Sequence, residues 1–587
     1  MLRNALLLPL FLTGTLTAAQ LNDGRNSFTR ADTLRGSIGQ ERAWWDVRHY
    51  AVSVTPDLEQ RTIMGRTYIK FTATAPGRRM QIDLQRPLEV DSIHMWVPGP
   101  IPMPDGRFVG ETAIKTAVPF KREGDVIWLD LPRDFQPEEG GTLWIDYHGK
   151  PKAAKNPPWD GGWIWRKDPQ GNPWVTVACQ GLGASVWYPC KDHQSDEPEE
   201  GATLRITVAD SLQAIGNGRL RGTSSNGDGT TTWEWQVSDP INTYNLIPYI
   251  GKYTHWSEVY QGKDGPLPCD YWVLAGNEAK ARDQFKQVPE MLRCFEEWLG
   301  PYPFYQDGYK LVEAPHLGME HQSAIAYGNN YVNGYRGSDL SGTGHGLEWD
   351  YIIIHESGHE WFGNSITTAD IADMWVHEGF TDYTETLFTE CEQGPDAAQE
   401  YVIGLRKNIR NDVPIIGPYG VNEEGSGDMY YKGANLIHMI RHIVGDSTFK
   451  DLLLDMNRTF KHKVVTSAEV EAFLIGYNST TREQLHPTLF DQYLRTTKIP
   501  VLEHAVVKGR LWMRCANAVP GLELPVRMRI GDGTTLIALG TTWRSSSVDG
   551  RSRNKARIQV DPAWYVDKHA LTRREIKALK ATELKGR

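Results

Sequence analysis

The spacing of apolar and polar residues changes twice along this chain. Over residues 20–255, short runs alternate apolar and polar side chains, as in Tyr50, Val52 and Val54, and turns rich in Gly, Pro and Asp separate them. Such alternation is typical of half-buried strands in antiparallel sheets. The sequence therefore predicts an N-terminal antiparallel β domain over 20–255.

Over residues 256–499 the apolar residues recur mainly at helical spacing. The clearest run covers residues 278–299 and stops at Gly300-Pro301, a pair that ends helices. We expect one helix there, within a second domain that is mainly α-helical.

Short strands return after Pro500. Alternating residues at 526–530 and 535–539 flank the turn sequence Gly531-Asp532-Gly533, which predicts a hairpin. We expect a small C-terminal β domain over 500–587, with a basic tail from Lys568 that forms an amphipathic helix. The predicted fold class is thus multidomain α+β.

The first residues have the pattern of a secretory signal peptide. Arg3 precedes an apolar run over residues 5–16 and the small residues Thr17, Ala18 and Ala19. The run is shorter than the roughly 20 residues that span a bilayer, and no later run is long enough. We expect residues 1–19 to be a signal peptide, and the mature protein to be exported to the periplasm or the medium without a membrane span.

Charge and cysteine content exclude several classes of partner and site. The net charge is −10, from 73 acidic and 63 basic side chains, which disfavours nucleic acid and anionic membrane surfaces as partners. The six cysteines are too sparse for a disulfide scaffold and lack CxxC spacing, so we expect no cysteine-ligated zinc. One or two disulfide bridges remain open.

A zinc site is predicted by His355, Glu356, His359 and Glu378. Four residues make about one helical turn, so the two histidines share a face, while Glu356 lies beside them and can contact a water. We expect Gly363 to end this helix. Two histidines and one carboxylate leave a tetrahedral position open, as a catalytic zinc requires.

The third ligand, Glu378, lies in a second helical run over residues 374–391. This run can pack antiparallel beside the first helix, and Glu385, two turns further on, can orient a ligand imidazole. A chance HExxH motif is rare in a chain of this size, on the order of 0.03 per chain. The sequence therefore predicts one zinc per chain, bound by His355, His359 and Glu378.

HExxH followed by Glu after eighteen intervening residues resembles the signature of the gluzincin zinc aminopeptidase family, which includes aminopeptidase N and leukotriene hydrolase. Residues 317–321 (LGMEH) resemble the family's GxMEN motif, which implies that Glu320 captures the substrate amine beside Gly318 and Met319. Leu317 and His321 depart from the motif at its first and last positions.

Two further segments match the family. Tyr430-Tyr431-Lys432-Gly433 resembles its YxKG element, which implies that Tyr430 is the catalytic tyrosine. The segment around Gln180 resembles the one in which a Gln or Glu helps to bind the amine. The resemblance implies a β saddle, a thermolysin-like catalytic domain and a small β-sandwich. Because only about 87 residues follow Pro500, we expect this sequence to lack the family's large C-terminal helical domain.

The resemblance implies a zinc aminopeptidase that acts on peptides with a free amino terminus, with Glu356 as general base. The alternatives are an epoxide hydrolase of the leukotriene hydrolase type, a zinc endopeptidase, or a zinc-stabilised peptide-binding protein. Glu356 disfavours the last, because a binding protein needs no proton acceptor beside a metal. The sequence leaves open the preferred N-terminal residue and the oligomeric state.

Overall fold

A computed structural model of the chain describes residues 27–102, 108–530, 533–547 and 558–582. The predicted signal peptide at 1–19 lies outside the described residues. The predicted multidomain α+β architecture is confirmed, with a β domain, a mainly helical domain and a second, smaller β domain in chain order.

The first domain begins with two short helices and continues as strands. Its elements are α1 (Arg30–Gly36), α2 (Gln40–Ala43), β1 (Trp45–Asp57), β2 (Thr62–Ala73), β3 (Gly77–Asp83), β4 (Glu89–Pro102), β5 (Phe108–Ala117), β6 (Phe120–Glu123), β7 (Val126–Phe135), β8 (Gly140–Gly149), β9 (Gly162–Lys167), β10 (Pro173–Ala178), β11 (Ala202–Ala209), β12 (Gln213–Ile215), β13 (Arg219–Ser225), β14 (Thr230–Val237) and β15 (Tyr249–Gly251).

An eight-stranded sheet in the order β13-β14-β11-β1-β2-β8-β4-β5 dominates this domain, and two smaller sheets are ordered β12-β15-β10-β9 and β3-β7-β6. Tyr50, Val52 and Val54 on β1 are buried, as their alternation predicts. The pairing is antiparallel as predicted, apart from β1 and β11, which run parallel.

The second domain combines a mixed sheet with most of the helices. Its elements are β16 (Tyr253–Gly262), β17 (Gly265–Leu274), α3 (Glu278–Gln284), α4 (Gln287–Leu299), β18 (Tyr309–Glu313), β19 (Gly318–Met319), β20 (Ile325–Tyr327), α5 (Tyr351–Gly358), β21 (Ile366–Thr368), α6 (Trp375–Gln393), α7 (Pro395–Gly404), α8 (Tyr431–Val444), α9 (Asp446–Phe460), β22 (Lys463–Val465), α10 (Ser467–Gly476), α11 (Ser479–Gln484) and α12 (Pro487–Leu494).

Two boundaries differ from the prediction. The single helix expected over residues 278–299 is two helices, α3 and α4, because the chain turns at Phe285, whose buried ring packs against Tyr271 and Tyr327. The expected domain boundary at 255/256 falls inside β16, which pairs with β17 in the five-stranded sheet β16-β17-β18-β20-β19. The second domain therefore begins near Tyr253.

The third domain packs two small sheets, ordered β27-β24-β23-β29 and β26-β25-β28. Its elements are β23 (Val501–Val507), β24 (Arg510–Ala516), β25 (Leu524–Ile530), β26 (Gly533–Leu539), β27 (Arg544–Ser547), β28 (Ile558–Val560), β29 (Asp567–Ala570) and α13 (Arg573–Thr582). β25 and β26 pair antiparallel as the predicted hairpin, although part of its turn, residues 531–532, lies outside the described residues.

A disulfide bridge joins Cys294 on α4 to Cys391 on α6 across a sequence separation of 97 residues. One bridge is within the one or two that the sequence leaves open. No helix in the described part of the chain is both long and apolar enough to cross a membrane.

Candidate active site

Helix α5 carries the predicted zinc motif and is buried along its whole length. Asp350 caps it, because the carboxylate accepts hydrogen bonds from the backbone N–H groups of Ile352 (3.0 Å) and Ile353 (3.4 Å). The prediction that Gly363 ends this helix is wrong. The regular helix ends at Gly358, tighter turns follow, and Gly363 then reverses the chain at φ 126°.

The structure brings His355, His359 and Glu378 together. The Nε2 atoms of His355 and His359 lie 3.2 Å apart. The Glu378 Oε2 atom lies 3.6 Å from the Nε2 of His355 and 3.3 Å from that of His359. All three side chains are buried. Glu378 occupies the first turn of α6, which packs against α5.

The arrangement of these donor atoms is suited to binding a metal cation, because the atoms cannot hydrogen-bond to one another. The His355 Nδ1–H donates to Glu385 Oε1 at 2.7 Å, and the His359 Nδ1–H donates to the Phe362 carbonyl at 2.9 Å. With the ring protons on Nδ1, both Nε2 atoms present lone pairs to each other and to a carboxylate oxygen. Glu378 Oε2 accepts no hydrogen bond from any described residue, so a cation is the partner that this set lacks.

Glu385 lies where the sequence places it, behind a ligand imidazole. Besides His355, its carboxylate accepts a hydrogen bond from the Tyr401 hydroxyl at 2.6 Å. A carboxylate in this position fixes the tautomer of the imidazole and raises its basicity toward a metal.

Glu356 lies beside the ligand set and against the backbone of β19. A Cβ atom at Gly318 would stand 2.6 Å from Glu356 Oε1, so the glycine leaves the space that this carboxylate occupies. Burial raises the pKa of Glu356 to about 7, against the lowering effect of His355 and His359. Sequence reasoning gave Gly318 only a substrate-binding role, and the structure adds this contact.

Glu320 follows β19 directly and is also buried. Its carboxylate accepts hydrogen bonds from the Gln180 side-chain amide and from the Tyr244 hydroxyl, the latter at 3.0 Å. Burial raises its pKa, opposed by His359. Gln180 is thus where the sequence predicts it, whereas Tyr244 was missed, because a tyrosine in a β domain carries no signal beyond ordinary packing.

The two departures from the GxMEN pattern are both buried and neither blocks the cleft. The His321 Nδ1 atom lies 2.6 Å from the Tyr249 hydroxyl, which donates to the Ala324 carbonyl at 2.7 Å. Leu317 joins the core of the catalytic domain while also lining the cleft. His321 therefore supports the turn after Glu320.

Tyr430 lies at the start of α8, with its ring centroid 6.0 Å from that of His355. Burial, together with the nearby Glu378 carboxylate, raises the pKa of its hydroxyl well above the usual value. The adjacent Tyr431 also lines the cleft, but it faces Asp382 and Glu385. Of the two tyrosines, Tyr430 is the one that lies beside His355 and Glu378.

One cleft of about 710 Å³ lies between the β domain and the helical domain, and its lining includes Gln180, Glu320, His355, Glu356, His359, Glu378 and Tyr430. Trp159, Gln180 and Leu182 form the wall from the β domain, and Met319 and Tyr351 are among the residues on the opposite wall. Such a volume is in the range of small-molecule and peptide sites.

One segment of the second domain matches a known protein family. Residues 284–488 match the model of the Peptidase family M1 domain. The chain is 24% identical to bovine aminopeptidase N over 323 residues, which cover 50% of this chain and 32% of the relative. It is 25% identical to leucine aminopeptidase 2 of Eremothecium gossypii over 336 residues, covering 55% of this chain and 50% of that one. It thus spans half or less of the length of these relatives.

A solved structure has the same fold over most of the chain. A mutant M1 zinc metallopeptidase from Deinococcus radiodurans, bound to a Tyr-Ser-Ala substrate, superposes with a TM-score of 0.63 at 22% identity. The match covers 78% of this chain and 96% of that one.

Proposed function

We propose that this chain, whose residues 284–488 match the model of the Peptidase family M1 domain, is an exported zinc aminopeptidase that releases residues one at a time from the free amino terminus of peptides. Its similarity to an aminopeptidase N and a leucine aminopeptidase supports the reaction type. The pattern of residues 1–19 supports export.

The observation that carries the proposal is the short distance between Glu320 and the hydrolytic residues. Glu320, Glu356 and His359 each offer an atom within 4.8 Å of the other two. In a peptide, the α-amine and the first carbonyl carbon are two bonds apart, about 2.5 Å. An amine bound to Glu320 therefore places the first peptide bond at Glu356, with no room for a preceding residue.

His355, His359 and Glu378 would hold the zinc ion, with Glu385 fixing the His355 tautomer. When bound, zinc lowers the pKa of a water molecule and polarises a carbonyl group. Glu356 takes the proton from the attacking water and passes it to the leaving amine. The Tyr430 hydroxyl donates a hydrogen bond to the oxygen on which negative charge develops. Glu320 binds the ammonium group of the substrate, and Gln180 and Tyr244 hold that carboxylate in place.

The test is hydrolysis of an aminoacyl reporter substrate by the mature protein, together with its metal content. We expect one zinc per chain, activity that a chelator abolishes and zinc restores, and loss of both zinc and activity in His359→Ala. Glu356→Gln should keep zinc and lose activity. An inactive wild-type protein with full zinc, or tight stoichiometric zinc in His359→Ala, would overturn the proposal.

The same preparation tests export. We expect the mature chain to begin near Gln20, as measured by sequencing its amino terminus. A mature protein that still begins at Met1 would contradict export while leaving the peptidase proposal intact.

A further inference from the structure

Gln180 lies on a loop, residues 179–185, that follows β10 and enters the cleft from the β domain. The Gly183 N–H donates to the Cys179 carbonyl at 2.6 Å and closes the loop into a turn. Because the Gln180 amide hydrogen-bonds Glu320, the position of the amine-binding carboxylate depends on what holds this loop.

Arg35, at the end of α1, reaches into that loop. Its Nη2 donates to the Leu182 carbonyl at 3.4 Å, its Nη1 donates to the Asp192 carbonyl, and the guanidinium pairs with Asp192 Oδ2 at 3.1 Å. The same Oδ2 accepts the Ser185 N–H at 3.0 Å. One arginine thus ties the middle and the end of the loop to a buried carboxylate.

The loop makes space for this side chain. A Cβ atom at Gly183 would lie 1.9 Å from Arg35 Nη2 and 2.3 Å from Asp192 Oδ2, and Gly183 has a φ of 94°, which favours glycine. With Arg35 in place, position 183 therefore accepts few residues other than glycine.

The α1 segment also contacts the catalytic domain. Gly36 packs so closely on the backbone of residues 421–422 that a Cβ atom would stand 2.1 Å from the Asn422 nitrogen. The Asn422 side-chain amide donates to the Gly181 carbonyl at 3.1 Å, beside Gln180. The end of α1, the Gln180 loop and the segment that precedes Tyr430 therefore meet at one point of the domain seam.

We infer that Arg35 is a positioning residue that holds Gln180, and through it Glu320, in the geometry that binds the substrate amine. This inference rests on the proposed function. The loop has a second support, because the Gln85 side-chain amide also donates to the Leu182 carbonyl, at 2.6 Å. Because Gln85 still holds the loop when Arg35 is replaced, we expect a variant at Arg35 to shift Gln180 while the domain stays folded.

The experiment compares Arg35→Ala with Arg30→Ala, using free-amine peptides and the full mature chain. Arg30 lies on the same helix, but it is exposed and pairs with Glu123 at 2.7 Å, so its loss controls for the removal of a positive charge from α1. We expect Arg35→Ala to raise KM about tenfold, the effect of one lost charge-assisted contact, with kcat within about twofold of the wild type. Zinc content should match that of Arg30→Ala, whereas the thermal midpoint should be lower in Arg35→Ala, because the buried Asp192 loses its ion-pair partner. The kinetic constants are therefore measured well below both midpoints.

A double-mutant cycle separates positioning from a general structural effect. If Arg35 acts through Gln180, the Arg35→Ala change should add little to KM in a Gln180→Ala background. Equal constants in Arg35→Ala and Arg30→Ala, or additive effects in the double variant, would overturn the inference. An inactive wild-type enzyme would instead refute the proposed function, so the two failures are distinguishable.

Discussion

Replacing Glu320 by alanine tests whether this carboxylate sets the point of cleavage. The wild-type enzyme is expected to discriminate strongly between a peptide with a free amine and the same peptide acetylated, because acetylation removes the charge that Glu320 binds. Glu320 is only 3% exposed, so an acetylated substrate would leave it desolvated with only its neutral partners Gln180 and Tyr244.

The size of the effect follows from the loss of one partner from a buried charged pair, which costs about 2 to 5 kcal/mol, a factor of about 30 to 5,000 in kcat/KM. The assay measures kcat/KM for matched free and acetylated tripeptides by quantifying the released first residue. In Glu320→Ala the free-amine substrate should lose most of its advantage, whereas kcat/KM for the acetylated one should rise, because no desolvated carboxylate is left without a charged partner.

Two controls accompany this measurement. Tyr244→Phe removes one donor to Glu320 and should cost about two- to tenfold. Glu297→Ala removes an exposed carboxylate of the same domain and should leave the ratio unchanged. Efficient internal cleavage of long acetylated peptides by the wild-type enzyme would refute the reasoning and favour an endopeptidase.

Three further outcomes are expected. Tyr430→Phe should keep zinc and lower kcat by about 10² or more with little change in KM, because it removes only the hydrogen bond to the developing oxyanion; near wild-type kcat would move that role to another residue. Gly318→Ala should keep zinc and lower kcat about tenfold, because the new Cβ displaces Glu356 Oε1; unchanged kinetics would show that Glu356 relaxes freely. Burial lowers the pKa of His193 to about 3, so its neutral form is favoured by folding. The free energy of unfolding should therefore fall as pH drops below about 6.5, by about 1 kcal/mol per pH unit from this residue. Chemical denaturation of His193→Gln should show a shallower pH dependence, and equal slopes would contradict this reading.

The ligand set could be predicted because helical geometry alone relates His355 to His359 and places Glu356 beside them. Glu378 and Glu385 lie on a second helix, α6, so helical periodicity also relates these two residues to each other. The connection between α5 and α6, residues 359–374, is long enough to let the two helices pack against each other.

The supports of the amine site could not be predicted in the same way. Tyr244 and Arg35 lie far from Glu320 in sequence, and nothing in their local pattern differs from ordinary core or surface residues. The division of the expected long helix at Phe285 has a similar cause, since tertiary packing of one aromatic ring overrides local helical preference. The boundary inside β16 was missed because alternation indicates a strand without indicating which sheet it joins.

The Cys294–Cys391 bridge closes a covalent ring that contains Glu320, Glu356 and the zinc ligands. A protease that cuts the exposed segment around Arg336 would leave both fragments attached, because each carries one of the two cysteines. Such a nicked chain would keep its metal-binding residues tethered until the bridge is reduced. The bridge thus converts one backbone cut in this segment from a separation of two fragments into a change of connectivity within one covalent unit.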